Sequence, residues 1–510
     1  MDLGNCHYCP QARFFHSSNC SNRPCAPIPL PRNIKSIMAL TRRQFLASGS
    51  VAATAVAEQA KRPPNIVWLM ADDLGIGDLG CYGQKKIRTP NIDKMAADGM
   101  RFLNAYAGCT VCAPSRSVLM TGYHTGHTSV RTNPGGVPIL ESDVTVAQVL
   151  KKAGYRCGGF GKWGLGDVGT SGVPSKHGFD EFFGYLNQVH AHWYYTPFLI
   201  YNEQEYPLAG NTGGKRTTYS PDAIGEKALA FIDREKDNPF FLYFPTTVPH
   251  WELLVPEDSL KEYDGKFPET PWIDKAKHYA DQEKPHATYA AMVTRMDRDV
   301  GRILAALEKH HLTGNTIVFF TSDNGGALEI RGDHYFEGTG PYRGHKQNFY
   351  EGGIRTPLIA KWPGHIKAGS ITNHICSFQD FMPTAADLAG VEAPKGIDGL
   401  SLLPTLLGKG RQKEHAYLYW ELPRHNGRTG EFVKETPMQA MRMGDWKVVR
   451  PKPDGPLELY NLKTDIAESK DVGAANPKIL AKMEALLKTA RVEPHPQKDP
   501  PTKPERWKNM

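Results

Sequence analysis

Apolar residues along this chain gather in short continuous runs that end in charge. Asn65-Ile66-Val67-Trp68-Leu69-Met70 runs into Asp72-Asp73, and Thr316-Ile317-Val318-Phe319-Phe320-Thr321 runs into Asp323-Asn324-Gly325-Gly326. The run 240–244 leads through a short loop to Pro249-His250, and the glycine-broken run 155–160 leads into Lys162. Such strands, alternating with helical patterns, predict a mainly parallel sheet covered on both faces. Beyond residue 404 the pattern shortens. Segments 416–421, 439–443, 446–450 and 458–461 read as strands, with Gly444-Asp445 as a hairpin turn. Ile479, Leu480, Met483, Leu486 and Leu487 recur at helical spacing within 477–491. The predicted fold is therefore α/β. A large, mostly parallel sheet flanked by helices spans 61–408, and a smaller α+β domain of antiparallel strands plus one helix spans 409–492. The Pro- and Lys-rich end, 493–510, is expected to be loose.

The 510 residues are 40% hydrophobic and 23% charged, a globular balance that excludes disorder. No apolar run approaches the roughly 18 residues of a membrane span, so no stable membrane insertion is expected. The net charge of +7 raises the question of nucleic acid. Residues 1–60 hold six basic groups (Arg13, Arg23, Arg32, Lys35, Arg42, Arg43) against Asp2 and Glu58; six minus two leaves +4 there and +3 for the rest. A nucleic-acid binder concentrates its basic residues on the folded domain, so that partner class is set aside.

The +4 belongs to a leader. Thr41-Arg42-Arg43-Gln44-Phe45-Leu46, a mild apolar stretch and Ala55-Val56-Ala57 have the order of a twin-arginine signal peptide, read over 38–60. Such signals sit close to the first methionine. Met38 is therefore the expected start, residues 1–37 an extension outside the native protein, and the periplasm or the exterior the expected location. Cys6, Cys9, Cys20 and Cys25 are spaced loosely like a zinc site but lie in that extension. Five cysteines remain (Cys81, Cys109, Cys112, Cys157, Cys376), an odd number for an exported chain.

In open parallel sheets, ligands bind beyond the carboxyl ends of the strands. One acidic pair there is as readily a solvated turn or helix cap; two pairs at equivalent strand ends are not. Asp72, Asp73, Asp323 and Asn324 form an all-oxygen set whose carboxylates repel unless a cation sits among them. Calcium, which accepts six to eight oxygens, suits the set; magnesium is the alternative. In Cys109-Thr110-Val111-Cys112-Ala113-Pro114-Ser115-Arg116, Pro114 fits a first helical turn. Cys112 then lies at a helix N-terminus, where backbone N–H groups favour an anion, and Arg116 adds a planar donor fork.

Cys112-x-Pro114-Ser115-Arg116 followed by Leu119-x-Thr121-Gly122 resembles the signature of the type I, formylglycine-dependent sulfatases of the alkaline-phosphatase-like superfamily. The resemblance runs from about residue 65 to 398. It includes Ala71-Asp72-Asp73-Leu74-Gly75, Gly161-Lys162-Trp163, Pro249-His250, Ser322-Asp323-Asn324-Gly325, Arg343-Gly344-His345-Lys346 and Tyr350-Glu351-Gly352-Gly353. It implies that a maturation enzyme oxidises Cys112 to Cα-formylglycine, whose hydrate attacks sulfur. It further implies that Asp72, Asp73, Asp323, Asn324 and the modified residue 112 bind calcium. Arg116 would hold the hydrate, Lys162 and Lys346 would contact the sulfate oxygens, and His250 would face the leaving oxygen. One feature departs from many relatives: they carry histidine two residues after the lysine of Gly-Lys-Trp, where this chain has Gly164. His190 and His192 are candidates to replace it, though both also read as structural or pocket histidines. The expected activity is hydrolysis of sulfate monoesters, with sulfated saccharides as the substrate class. A phosphodiester or phosphonate hydrolase of the same superfamily, or an inactive protein that binds sulfated glycans, are the rival readings.

Overall fold

The structure, a computed structural model, describes residues 62–327, 332–498 and 507. The leader, the start at Met38 and the four N-terminal cysteines lie outside them.

The larger sheet has ten strands: β1 (Asn65–Ala71), β2 (Met100–Tyr106), β3 (Arg156–Lys162), β4 (Glu181–Tyr185), β5 (Phe198–Tyr201), β6 (Gln204–Pro207), β7 (Phe240–Pro245), β8 (Thr316–Ser322), β9 (Leu358–Lys361) and β10 (Ser370–Ser377). Their order is β10-β2-β9-β8-β1-β7-β3-β4-β5-β6. The four strands read from the sequence are four neighbours, β8-β1-β7-β3, and all pair parallel. Their carboxyl ends therefore share one edge. Antiparallel pairing enters only through β9 and at the β5–β6 edge.

Every residue of β1 is buried, because both faces of the sheet are covered. Ile66, Trp68 and Met70 join one core with the helix Phe381–Ala389. Val67, Leu69 and Ala71 join the other, with the helices Ser220–Glu235 and Pro285–Lys309. A central strand without polar positions can place its charges only after its last residue.

A second sheet follows, β11 (Leu418–Leu422), β12 (Met438–Met443), β13 (Trp446–Arg450) and β14 (Glu458–Asn461), antiparallel throughout. Gly444 takes the left-handed conformation that its tight turn requires. Helix Pro477–Thr489 packs Met483 and Leu487 on one face of this sheet. The other face meets Tyr106, Cys109 and Val111. Trp420 Nε1 donates to Ala107 O at 2.9 Å, and buried Arg131 pairs with Glu421 at 2.9 Å. The second sheet thus braces the segment that leads into residue 112.

Segment 493–510, expected to be loose, is tied down where it is described. Gln497 is buried and accepts from Thr132 Oγ1 at 2.7 Å, and Trp507 stacks on His190. The five described cysteines are all free thiols, so the odd count leaves no broken pair among them.

Candidate active site

Strands β1 and β8 run in register, with Ala71 opposite Ser322, so Asp72-Asp73 and Asp323-Asn324 leave the sheet side by side. Asp73 turns immediately into the left-handed region (φ 68°), a conformation that Asp tolerates better than most residues. Its N–H donates to Asp323 Oδ1 at 3.2 Å, and Leu74 N donates to Ser322 Oγ at 2.9 Å, which locks the two turns together.

Cys112 opens the helix Cys112–Thr121, after Val111 in extended conformation. Every residue of that helix is buried, and Ser115 fixes its position by donating to Asp323 O at 2.5 Å. Cys112 Sγ lies 3.3 Å from Asp72 Oδ1 and 3.9 Å from Asp73 Oδ1. Ligand atoms of Asp72, Asp73, Cys112 and Asp323 all fall within 4.8 Å of one another.

Asn324 completes the set. Its Nδ2 donates to Asp73 Oδ1 at 2.8 Å, whereas its Oδ1 is buried without a hydrogen-bond partner. A buried acceptor beside three carboxylates is a ready cation ligand. Burial and the neighbouring Asp72 push the Asp323 carboxyl above its usual range, a repulsion that a cation among these oxygens relieves. The residues present therefore fit a hard divalent ion.

Three cations surround the acids. Lys162, at the end of β3, sits 2.7 Å from Asp72 Oδ2 and 3.4 Å from Cys112 Sγ. Lys346 sits 2.7 Å from Asp73 Oδ2 and 3.6 Å from the same sulfur. Arg116 aims Nε and Nη2 at Asp323 Oδ2 (3.1 and 2.7 Å) and Nη1 at the Lys162 carbonyl. Its guanidinium is thus engaged largely in holding Asp323. Burial, with Asp323 and Asp72 nearby, raises the Cys112 thiol well above its ordinary pKa, so the unmodified side chain stays a thiol.

His250 follows β7, and its Nε2 lies 3.3 Å from both Lys346 Nζ and Asp73 Oδ2. Burial and the adjacent lysines hold it well below the usual imidazole range, hence neutral. The aromatic run Trp193-Tyr194-Tyr195 supports this loop from behind. Tyr194 is fully buried and donates to the carbonyls of Thr247 and His250. Tyr194 is thus a packing residue beneath that loop.

Above the acids opens a cavity of about 180 Å³ lined by Cys112, Lys162, His250, Lys346, Asn133, Gln188, His192, Trp251 and Tyr279 among others. Asp72, Asp73, Cys112, Arg116, Lys162, His250, Asp323, Asn324 and Lys346 are brought to one place. The two substitute histidines part company. His190 is bonded to Thr196 and stacked on Trp507, away from the cavity, whereas His192 lines it and stacks on His250. Sequence reasoning missed Asn133, Gln188, Trp251 and Tyr279, which carry no spacing signal. Asn133 and Gln188 lie outside regular helices and strands, Trp251 follows His250 directly, and Tyr279 precedes the helix Pro285–Lys309.

A parallel sheet that delivers acids, lysines and a helix-borne side chain to one edge defines an alkaline-phosphatase-like hydrolase. The sulfatase family profile matches residues 64–391, and one described as N-sulphoglucosamine sulphohydrolase, C-terminal, matches 343–493. Human N-acetylgalactosamine-6-sulfatase is 36% identical over 394 residues, 71% of this chain and 69% of its own. Mouse steryl-sulfatase is 30% identical over 482 residues, covering 77% and 72%. The crystal structure of Ps i-CgsB in complex with k-i-k-neocarrahexaose aligns with a TM-score of 0.69 at 30% identity, over 84% of this chain and 93% of that one. This chain belongs to the sulfatase family and is a sulfuric ester hydrolase. Among the described residues, no helix is long and apolar enough to cross a membrane.

Proposed function

We propose that this enzyme is an exported sulfatase that hydrolyses sulfate monoesters of saccharides. Residue 112 matures to Cα-formylglycine through a dedicated maturation enzyme, and calcium is held by Asp72, Asp73, Asp323, Asn324 and the matured residue 112. The observation that carries the reading is the meeting of Cys112 with three carboxylates and two lysines beneath one cavity. In place, calcium supplies positive charge for the sulfate oxygens, and formylglycine supplies a hydroxyl nucleophile where a buried thiol would be poor.

The chain's own groups account for the rest. Lys162 and Lys346 converge on residue 112 and are the donors for a sulfate bound over it. Arg116 orients Asp323 through Nε and Nη2 and favours its charged form against the burial that opposes it. Lys346 Nζ is the protonated group able to pass a proton to the departing oxygen, and the neutral His250 Nε2, 3.3 Å from it, is placed to face that oxygen and exchange protons with the lysine. Trp251 and Tyr279 give one wall of the cavity an aromatic character suited to a sugar ring. Relatives named for N-acetylgalactosamine 6-sulfate and complexed with neocarrahexaose support a sulfated saccharide. Export rests on the leader at 38–60.

The test is mass spectrometry of the peptide spanning residue 112 in protein from the native host, with a turnover screen. Sulfated galactosamine and galactan oligosaccharides are compared with an aryl phosphodiester and a phosphonate ester. An unconverted Cys112 in active protein, or preference for a phosphorus ester, would sink the reading; fractionation of the host reports the compartment.

A further inference from the structure

Gln188 carries an acceptor that no group in the described protein uses. Its side chain is buried, Nε2 donates to Asn133 Oδ1 at 2.7 Å, and Oε1 has no hydrogen-bond partner. The two ends of the amide are fixed by their neighbours. Asn133 Oδ1 also accepts from the backbone N–H of Ala113 at 2.8 Å, so that atom is the oxygen. The Gln188 atom facing it is then the nitrogen. A buried carboxamide oxygen calls for a donor.

Sulfate is not that donor, because the oxygens of a sulfate ester only accept. A hydroxyl on a diffusing saccharide does not reach an oxygen that is closed to solvent. Residue 112 offers a donor from the protein wall. Two hydrogen bonds link Gln188 through Asn133 to Ala113, the residue after Cys112, and Gln188 and Cys112 line the same cavity.

The space beside Oε1 belongs to Gly164. A Cβ there would lie 3.1 Å from Gln188 Oε1, 3.2 Å from its Cδ and 3.5 Å from Arg116 Cδ. A side chain at 164 and the carboxamide of Gln188 are alternative occupants of one position beside the residue that braces Asp323.

We propose that Gln188 is a positioning residue whose Oε1 accepts a hydrogen bond from a hydroxyl of the hydrated formylglycine at residue 112. The inference rests on the maturation of residue 112 put forward above. An amide oxygen orients an O–H group but does not take its proton, so Gln188 contributes no ionisation to the pH–rate profile, unlike an imidazole at the same place.

The test uses full-length matured enzyme and the variants Gln188→Ala, Gln188→Leu and Gln188→Ala/Gly164→His. Conversion of residue 112 is read by mass spectrometry, and all rates are expressed per converted chain. The first readout needs no turnover: capture of the aldehyde by a hydrazide probe. Losing the acceptor weakens the hydrate, and capture accelerates about tenfold in both single variants, the equivalent of one net hydrogen bond. The second is kinetic: kcat for an aryl sulfate falls about tenfold while KM stays within about twofold, as expected for an interaction made to the nucleophile and not to the substrate. Histidine accepts the left-handed backbone of Gly164 better than most residues (φ 77°). The double variant is therefore expected to regain part of kcat and to show a new ionisation near the ordinary imidazole value of about 6.5. Wild-type capture and wild-type kcat in both single variants overturn the proposal. A wild-type enzyme that is fully converted yet cleaves no sulfate ester refutes the proposed function instead, and the capture comparison still reads the Gln188 hydrogen bond. Gln188→Leu, which keeps the volume, carries the test if the alanine variant does not fold.

Discussion

Acidification from pH 8 to pH 5 is expected to remove about 2 kcal/mol of stability through His124 alone. Burial lowers its pKa from 6.5 to about 4. A depressed histidine favours the fold while the unfolded imidazole is also neutral, above about 6.5, and the benefit is lost as the pH falls towards 4. At pH 5 the unfolded side chain is almost fully charged and the folded one about nine-tenths neutral, which gives the 2 kcal/mol; the complete shift is worth about 3. The geometry explains the neutrality. His124 Nδ1 accepts from Gly126 N at 3.1 Å, so its proton sits on Nε2, 3.6 Å from Asp398 Oδ1, and the ring stacks on His127. The same tautomer argues against a metal at His124, His127 and Asp398, although their ligand atoms lie within 4.8 Å. A metal would need the lone pair that Nε2 lacks. The assay is chemical denaturation of wild type and His124→Gln at both pH values, since the difference cancels other titrating groups. A wild-type-minus-variant gap that does not change with pH refutes the reasoning, and zinc-dependent stabilisation of wild type but not of the variant refutes the tautomer.

Further outcomes follow from the same contacts. Cys112→Ala is expected to abolish turnover while leaving the denaturation midpoint near wild type, because the side chain serves the site and not the core. Asp323→Asn keeps the shape but removes one carboxylate charge, so bound calcium by elemental analysis and turnover should fall together; undiminished metal contradicts the ligand assignment. Lys447 is fully buried, 2.8 Å from Glu351 Oε1, and Lys447→Met is expected to cost about 3 kcal/mol, read as a lower urea midpoint. Inorganic sulfate should tighten calcium binding in a titration followed by calorimetry; equal calcium affinity with and without sulfate denies the coupling.

The sheet and the acid set were legible in the sequence because both follow from burial. A strand flanked on two faces has no charged position, so β1, β7 and β8 showed as near-continuous apolar runs and the charges beyond them marked the carboxyl edge. That β3 reads weakly also has a cause. Gly158, Gly159 and Gly161 replace apolar side chains where Phe231, Phe179, Phe182 and the Pro245 carbonyl press close, so packing supplied by other segments completes the strand. The cavity walls were not legible. Gln188, Trp251 and Tyr279 meet through loop geometry, which has no period, and the Ala113–Asn133–Gln188 link joins residues 20 and 55 positions apart. The C-terminal end misled for a related reason. Its Pro and Lys content predicts looseness, but single residues such as Gln497 and Trp507 find buried partners that composition cannot reveal.

The charge count at the site couples metal to substrate. Asp72, Asp73 and Asp323 oppose Arg116, Lys162 and Lys346, and three minus three is zero. A neutral set offers little attraction to a sulfate monoanion, and both lysines are paired with acids in this arrangement. A divalent cation held by the carboxylates would change the sum to +2 and would compete with Lys162 and Lys346 for Asp72 and Asp73, leaving the ammonium groups to a second partner. A bound sulfate monoester would then bring the set to +1, and the inorganic dianion would bring it to zero, in a buried place where each unit of charge weighs more than in water. Each ligand thus favours the other, and the coupling is the same whichever binds first. On the proposed reading the lysines would be free for the reaction only when a cation occupies the acids, so the acid cluster would govern sulfate recognition as well as metal binding.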